Sequence, residues 1–125
     1  MMEILYKKEI YEIVGFCMEI RNVLGYGFSE VIYKDAMEQE FLDNLIPYIR
    51  EDELSVYYKG KILKHRFNTD FTVFENIVVE VKSGDDGIVE KTIPQTLNYL
   101  KASGNKVGLI VNFGKTKLEY KRLIV

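Results

Sequence analysis

The segment Val107-Gly-Leu-Ile-Val111 constrains the fold more than any other, because neither of its faces carries a polar side chain. A strand of that kind has to be covered from both sides. Upstream of it, Thr92 can cap a helix that accepts Pro94 in its first turn, carries Leu97 and Leu100, and stops at Gly104. Upstream again lies the strand-like run Ile77-Val-Val-Glu-Val-Lys82, separated from the helix by the acidic, glycine-containing loop Ser83 to Gly87. Strand, helix and strand in this order predict a right-handed parallel crossover and an α/β fold. With 125 residues, 47% hydrophobic and 29% charged, the chain is expected to form a single domain over 1–125, and collagenous, coiled-coil and disordered classes are excluded.

The first half of the chain has a different period. From Ile4 to Leu24 the residues Ile10, Ile13, Val14, Cys17, Ile20, Val23 and Leu24 recur at three and four, which predicts an amphipathic helix. Cys17 lies on that stripe and is expected to be a packed, unreactive thiol. Gly25-Tyr-Gly27 breaks the helix, and Ser29 is placed to cap a second one carrying Ile32, Tyr33, Ala36, Met37, Phe41 and Leu45, which Pro47 ends. Beyond Pro47 the period becomes two: Leu54, Val56 and Tyr58 share a face of a strand that turns at Lys59-Gly60. A second strand is expected from about Ile62 to Phe74, the third is Ile77 to Lys82, and the three form a meander. A final edge strand runs from Leu118 and Tyr120 through Lys121 to Val125.

No apolar run is long enough to span a bilayer, and the N-terminus lacks a basic segment followed by an apolar one, so a cytoplasmic location is expected. Cys17 and His65 supply only one thiol and one imidazole, too few for a structural zinc site, so any metal must be held by oxygen. The net charge of −2 argues against a polyanionic partner, yet its distribution does not: residues 1–53 hold 12 acids and 5 bases, residues 54–125 hold 7 acids and 12 bases. Lys59, Lys61, Lys64 and Arg66 form one basic group, and Lys115, Lys117, Lys121 and Arg122 another. Such groups serve either as nucleic-acid contacts or simply as solvated strand surface.

Alternation along the third strand puts Glu80 and Lys82 on the face opposite Val79 and Val81. On the second strand Leu63, His65, Phe67, Phe71 and Val73 share one face and Arg66, Asn68, Asp70 and Thr72 the other. A two-residue loop at Glu75-Asn76 would pair Asp70 with Val81 and turn it away from Glu80. A three-residue loop of Phe74-Glu75-Asn76, with Asn76 at positive φ, or a bulge, pairs Asp70 with Glu80. Two carboxylates so placed repel unless a cation lies between them, and hard oxygen ligands with positions left for water and phosphate suit Mg²⁺ or Mn²⁺. The alternative is a solvated sheet face on which Lys82 pairs with Glu80 or Asp70.

Gly27-Phe-Ser-Glu30-Val-Ile-Tyr33 resembles the signature of the GxxExxY protein family, and Asp70, Glu80-Val81-Lys82 and Gln95-Thr-Leu-Asn-Tyr99 resemble the later motifs of the PD-(D/E)xK nuclease superfamily in their usual order. The tail Gly108-Leu-Ile-Val-Asn112-Phe-Gly114 is similar to the family's strand and turn, so the resemblance covers nearly the whole chain. It implies a restriction-endonuclease-like fold, a mixed β-sheet core flanked by helices, and a phosphodiesterase acting on DNA in preference to RNA by in-line attack of a Mg²⁺-bound water. It further implies Asp70 and Glu80 as metal ligands, Lys82 as the group that orients or activates water, and Glu30 as an accessory carboxylate. Glu30 has a second reading, since an acid in a first helical turn is stabilised by the macrodipole. Gln95 and Tyr99 lie four apart on one helix face, where the amide can reach a water or phosphate, or make a helix-to-sheet contact. Thr92 stands where the family pattern has a histidine, and His65 is expected to pack beside Phe67 and Phe71 rather than replace it. The rival is a catalytically inactive module that kept the fold and binds nucleic acid or a protein partner, while a lone domain of this size would need a homodimer or a partner to embrace a duplex.

Overall fold

The computed structural model describes residues 6–125, so Ile4 and Leu5 of the first apolar pattern lie outside the described residues. Two helices come first, α1 (Lys7–Leu24) and α2 (Glu30–Asp43). The strand β1 (Tyr48–Leu54) is followed by a small hairpin of β2 (Tyr57–Tyr58) and β3 (Lys61–Ile62), and then by β4 (Phe67–Val73) and β5 (Ile77–Lys82). The chain closes with α3 (Thr92–Ser103), β6 (Val107–Asn112) and β7 (Glu119–Ile124). Five strands make one mixed sheet in the order β1-β4-β5-β6-β7, in which only β5 and β6 are parallel, joined by α3 as the crossover.

The apolar spacing of α1 and α2 buries Ile13, Cys17, Tyr33, Met37 and Phe41 against Phe71, Val79, Val81, Leu109 and Val111 on one face of the sheet. Val78, Ile110 and Leu123 meet Leu100 of α3 on the other face. Strands β5 and β6 are therefore buried from both sides, as the wholly apolar run of β6 requires. Burial pushes the Cys17 thiol up, so it stays protonated and unreactive in the core.

Several local expectations need correction. The second helix ends at Asn44 rather than at Pro47, and Leu45 sits outside it, exposed, with φ 56°. Ser29 holds the N-cap position without a side-chain cap bond, and Thr92 is a buried first residue of α3 whose carbonyl accepts from Thr96 Oγ1 at 2.8 Å. The long strand expected from Ile62 is interrupted: residues 63–66 lie outside the main sheet, and His65 is exposed instead of packed. Phe67 does not share a face with Phe71, because it stacks on Tyr99 of α3 (centroids 4.4 Å apart) while Phe71 joins the α1–α2 core. Thr69 and Thr72, three residues apart, meet through their hydroxyls at 3.2 Å, so strict alternation breaks between them. Asp70 sits at that break.

Residues 112–114 lock the end of β6 to the loop that follows Lys82. Asn112 Nδ2 donates to Gly84 O at 2.9 Å, Gly114 N–H donates to Asn112 Oδ1, and Phe113 N–H donates to Lys82 O. A Cβ on Gly114 would lie 2.5 Å from backbone atoms of Ser83 and Gly84, contacts that a side-chain rotation cannot relieve. Gly114→Ala is expected to cost about 1–3 kcal/mol, read as a fall in the urea midpoint, and to displace the backbone next to Lys82. An unchanged midpoint would mean that this loop does not hold the end of β5.

Candidate active site

Register decides whether the two acidic residues meet. Val73 pairs with Ile77, Thr72 with Val78 and Phe71 with Val79, across a three-residue loop of Phe74, Glu75 and Asn76, so Asp70 comes level with Glu80. The loop achieves this differently from expectation: Phe74 (φ 53°) and Glu75 (φ 67°) take the left-handed conformation, and Asn76 does not. Beyond Phe71 and Val79 the ladder stops, and the Val81 N–H donates instead to Asp70 Oδ2 at 2.7 Å. The other Asp70 oxygen accepts from Lys34 Nζ at 3.1 Å.

Lys34 was not legible as a site residue. It projects from α2 with a buried side chain and is shared between Asp70 and Glu51. Burial works against its charge, but the hydrogen bonds and charges of the two carboxylates outweigh that, and its pKa is raised. Glu51 lies between Arg50 and Asp52, which pair with Phe71 and Thr69, so it stands beside Asp70 in the neighbouring strand. It holds φ 55° within β1, a conformation that costs a non-glycine residue of order 1–2 kcal/mol.

Glu80 is 7% exposed, and its Oε1 has no hydrogen-bond partner among the described residues. Burial first, and the Asp70 charge second, push its carboxyl up to about 8, while the Lys82 charge pulls the other way. Lys82, next on the same face, is half-buried and has no ion pair among the described residues. Tyr99 covers the same side from α3; burial and then the Glu80 charge raise its phenol, and its hydroxyl accepts from Gln95 Nε2 at 2.8 Å. The exposed Gln95 is thus placed on Tyr99. Glu30 is exposed at the first position of α2, one turn before Lys34, and makes no side-chain hydrogen bond or ion pair among the described residues. Tyr33 is fully buried, stacks on Phe113 and donates to Gly25 O at 2.6 Å, clasping the break between α1 and α2.

This donor set fits a divalent cation. A buried carboxylate oxygen without a partner, beside a second carboxylate, costs free energy that an oxygen-seeking ion between them would remove. No group of three or more His, Cys, Asp or Glu side chains converges among the described residues, so a metal here would take two protein carboxylates and leave its other positions open. Two basic groups lie at the same end of the sheet, beside the acids Asp85 and Asp86 of the loop after Lys82. Lys59, Lys61, Lys64 and Arg66 are all exposed just before β4 begins, with Arg66 paired to Glu53 at 2.8 Å. Lys115 and Lys117 are exposed in the loop between β6 and β7, beyond the end of β6 that pairs with Lys82. Among the described residues, no helix is long and apolar enough to cross a membrane.

Comparison with solved structures finds a similar fold in the crystal structure of SSO0001, with a TM-score of 0.58 and 20% identity over 95% of this chain. The matched region is 59% of SSO0001. The crystal structure of an alkaline exonuclease (LHK-Exo) from Laribacter hongkongensis is a weaker likeness, with a TM-score of 0.43 and 9% identity over 99% of this chain and 72% of its own. No curated protein matches the chain. The profile of the PD-(D/E)XK nuclease superfamily matches residues 7–123, from the start of α1 into β7, and on that match the chain belongs to this superfamily.

Proposed function

We propose that the protein is a divalent-metal-dependent phosphodiesterase that hydrolyses nucleic acid, DNA rather than RNA, by in-line attack of water. The observation that carries this reading is the unpartnered, buried Glu80 Oε1 beside Asp70. In this reading Asp70 and Glu80 hold Mg²⁺ or Mn²⁺, which when bound supplies a Lewis acid for a phosphoryl oxygen and lowers the pKa of a water. Lys34 and the Val81 N–H fix the Asp70 carboxylate in place. Lys82, free of a counter-ion, places positive charge where the phosphorus centre becomes more anionic and orients the attacking water. Tyr99, steadied by Gln95, walls the site on the α3 side and limits solvent. Lys59, Lys61, Lys64 and Arg66 approach the phosphate backbone from the β2–β3 side. The resemblance of Gly27 to Tyr33 to the GxxExxY signature accords with this assignment, and Glu30 would act there only after moving from its exposed position.

The rival, a nuclease-fold module that binds without cutting, is favoured by the absence, among the described residues, of a third acidic, histidine or cysteine ligand converging with Asp70 and Glu80. Single-turnover cleavage of labelled duplex and single-stranded DNA in Mn²⁺, run beside a binding titration in Ca²⁺, separates the two. Cleavage by wild type that Asp70→Asn lowers at least about a hundredfold is the expected result, because the loss of one of two carboxylate ligands weakens the hold on the ion that would supply the Lewis acid. Binding in Ca²⁺ with no cleavage of either substrate would establish the binding module instead.

A further inference from the structure

The β2–β3 hairpin is built from side chains that the core does not use. Tyr57 pairs with Ile62 and Tyr58 with Lys61, the Leu63 N–H extends the ladder to Val56 O at 2.8 Å, and Lys59 and Gly60 turn the chain with φ 49° and 78°. Tyr57 and Tyr58 are each 60% exposed, and Ile62 and Leu63 are exposed as well. None of the four belongs to either core cluster. The Lys59 ammonium lies 5.4 Å from the centre of the Tyr58 ring, whereas the Tyr57 ring has no aromatic or cationic neighbour among the described residues. From Leu54 to Thr69 there are four lysines and arginines and no acid.

The arm also has a fixed place. It joins the sheet where Leu54 pairs with Phe67, three residues before Asp70, or about 10 Å along the strand. Cations alone would serve to hold a duplex by its phosphates. An exposed tyrosine ring on a basic arm gains more from the flat face of a base, and in a duplex those faces are hidden in the stack. A second copy docked arm to arm is a poor occupant, because it would bring two acid-free basic arms together.

We infer that the β2–β3 arm is a stacking platform for unpaired bases, with Tyr57 as the ring that receives a base, so that the site acts on nucleic acid where it is single-stranded or frayed. This rests on the nucleic-acid reading above and adds the strandedness of the substrate to it.

Fluorescence anisotropy in Ca²⁺, with labelled oligothymidylate and a labelled duplex, tests the inference. Tyr57→Ala is expected to weaken single-strand binding about tenfold or more and duplex binding less than about twofold, with the melting temperature unchanged. Tyr57→Phe, which keeps the ring, should retain wild-type affinity. Lys59→Ala with Lys61→Ala should weaken both substrates and flatten the salt dependence. Equal losses on the two substrates with Tyr57→Ala, or none, would overturn the stacking assignment while leaving the nucleic-acid reading standing. A Tyr57→Ala change in sedimentation rather than in binding would show a self-association surface and overturn it too. Wild type that binds neither oligonucleotide would overturn both readings.

Discussion

Lys82→Ala is expected to slow single-turnover cleavage by about a hundredfold or more while leaving nucleic-acid affinity nearly unchanged. The reason lies in where the ammonium sits. Lys82 follows Glu80 on one face of β5, has no ion pair among the described residues, and acts on Glu80 through its charge. A group so placed contributes most when charge grows on the phosphorus centre, and little to ground-state binding, which in the proposed reading falls to the exposed lysines of the arm. In a pure binding module Lys82 would be one phosphate contact among several, and its loss would flatten the salt dependence by about one unit. The variant also removes the charge that eases Glu80, so the stability of the metal-free protein serves as the control. A drop in affinity equal to the drop in rate would remove Lys82 from the chemistry.

In the absence of divalent ions, stability is expected to fall as pH rises from about 4.5 to about 8, by several kcal/mol, and Glu80→Gln is expected to abolish most of that fall. The sign follows from proton counting. Below 4.5 both folded and unfolded Glu80 carry a proton, so the residue makes no difference there. Between 4.5 and about 8 the unfolded chain releases its proton while the folded one keeps it, so rising pH favours unfolding, and above about 8 the penalty is constant. Urea denaturation in EDTA across this range, wild type against Glu80→Gln, isolates the Glu80–Asp70 pair, because groups remote from it cancel in the difference. Parallel curves would mean that Glu80 is not held in a charge-averse site. Added Mg²⁺ should stabilise wild type most at the alkaline end, where the carboxylate is ready to take a cation.

The parts legible from sequence were those set by local pattern. A run apolar on both faces marked β6, and Gly104, with φ 78°, stopped α3 as expected. Loop arithmetic left a three-residue loop or a bulge as the ways to bring Asp70 level with Glu80, and the three-residue loop is the one present. What escaped was set by tertiary contact. Asparagine tolerates positive φ best, yet Phe74 and Glu75 take it, because the Phe74 side chain packs against the core and its N–H donates to Pro47 O at 2.8 Å. Lys34, four residues after Glu30, reads as an ordinary helical surface charge, and only the approach of β1 and β4 to α2 buries it on Glu51 and Asp70. Glu51 offers no signal at all, since its left-handed backbone sits inside a run that reads as a strand. A conserved period of two along β4 misplaced Phe67 and His65, because the alternation breaks at Asp70 itself, where the carboxylate replaces a ladder partner.

The claim on which all of this rests is that Asp70 and Glu80 together bind one divalent ion. Titration calorimetry of Mn²⁺ into the folded protein, with Asp70→Asn and Glu80→Gln as variants whose folding is verified by circular dichroism, measures it without reference to any substrate. One Mn²⁺ per chain in wild type, weakened about tenfold or more in each variant, is the predicted result, since each substitution removes one of only two charged ligands. Mn²⁺ binding of equal strength in wild type and both variants, or no binding to wild type, would contradict it.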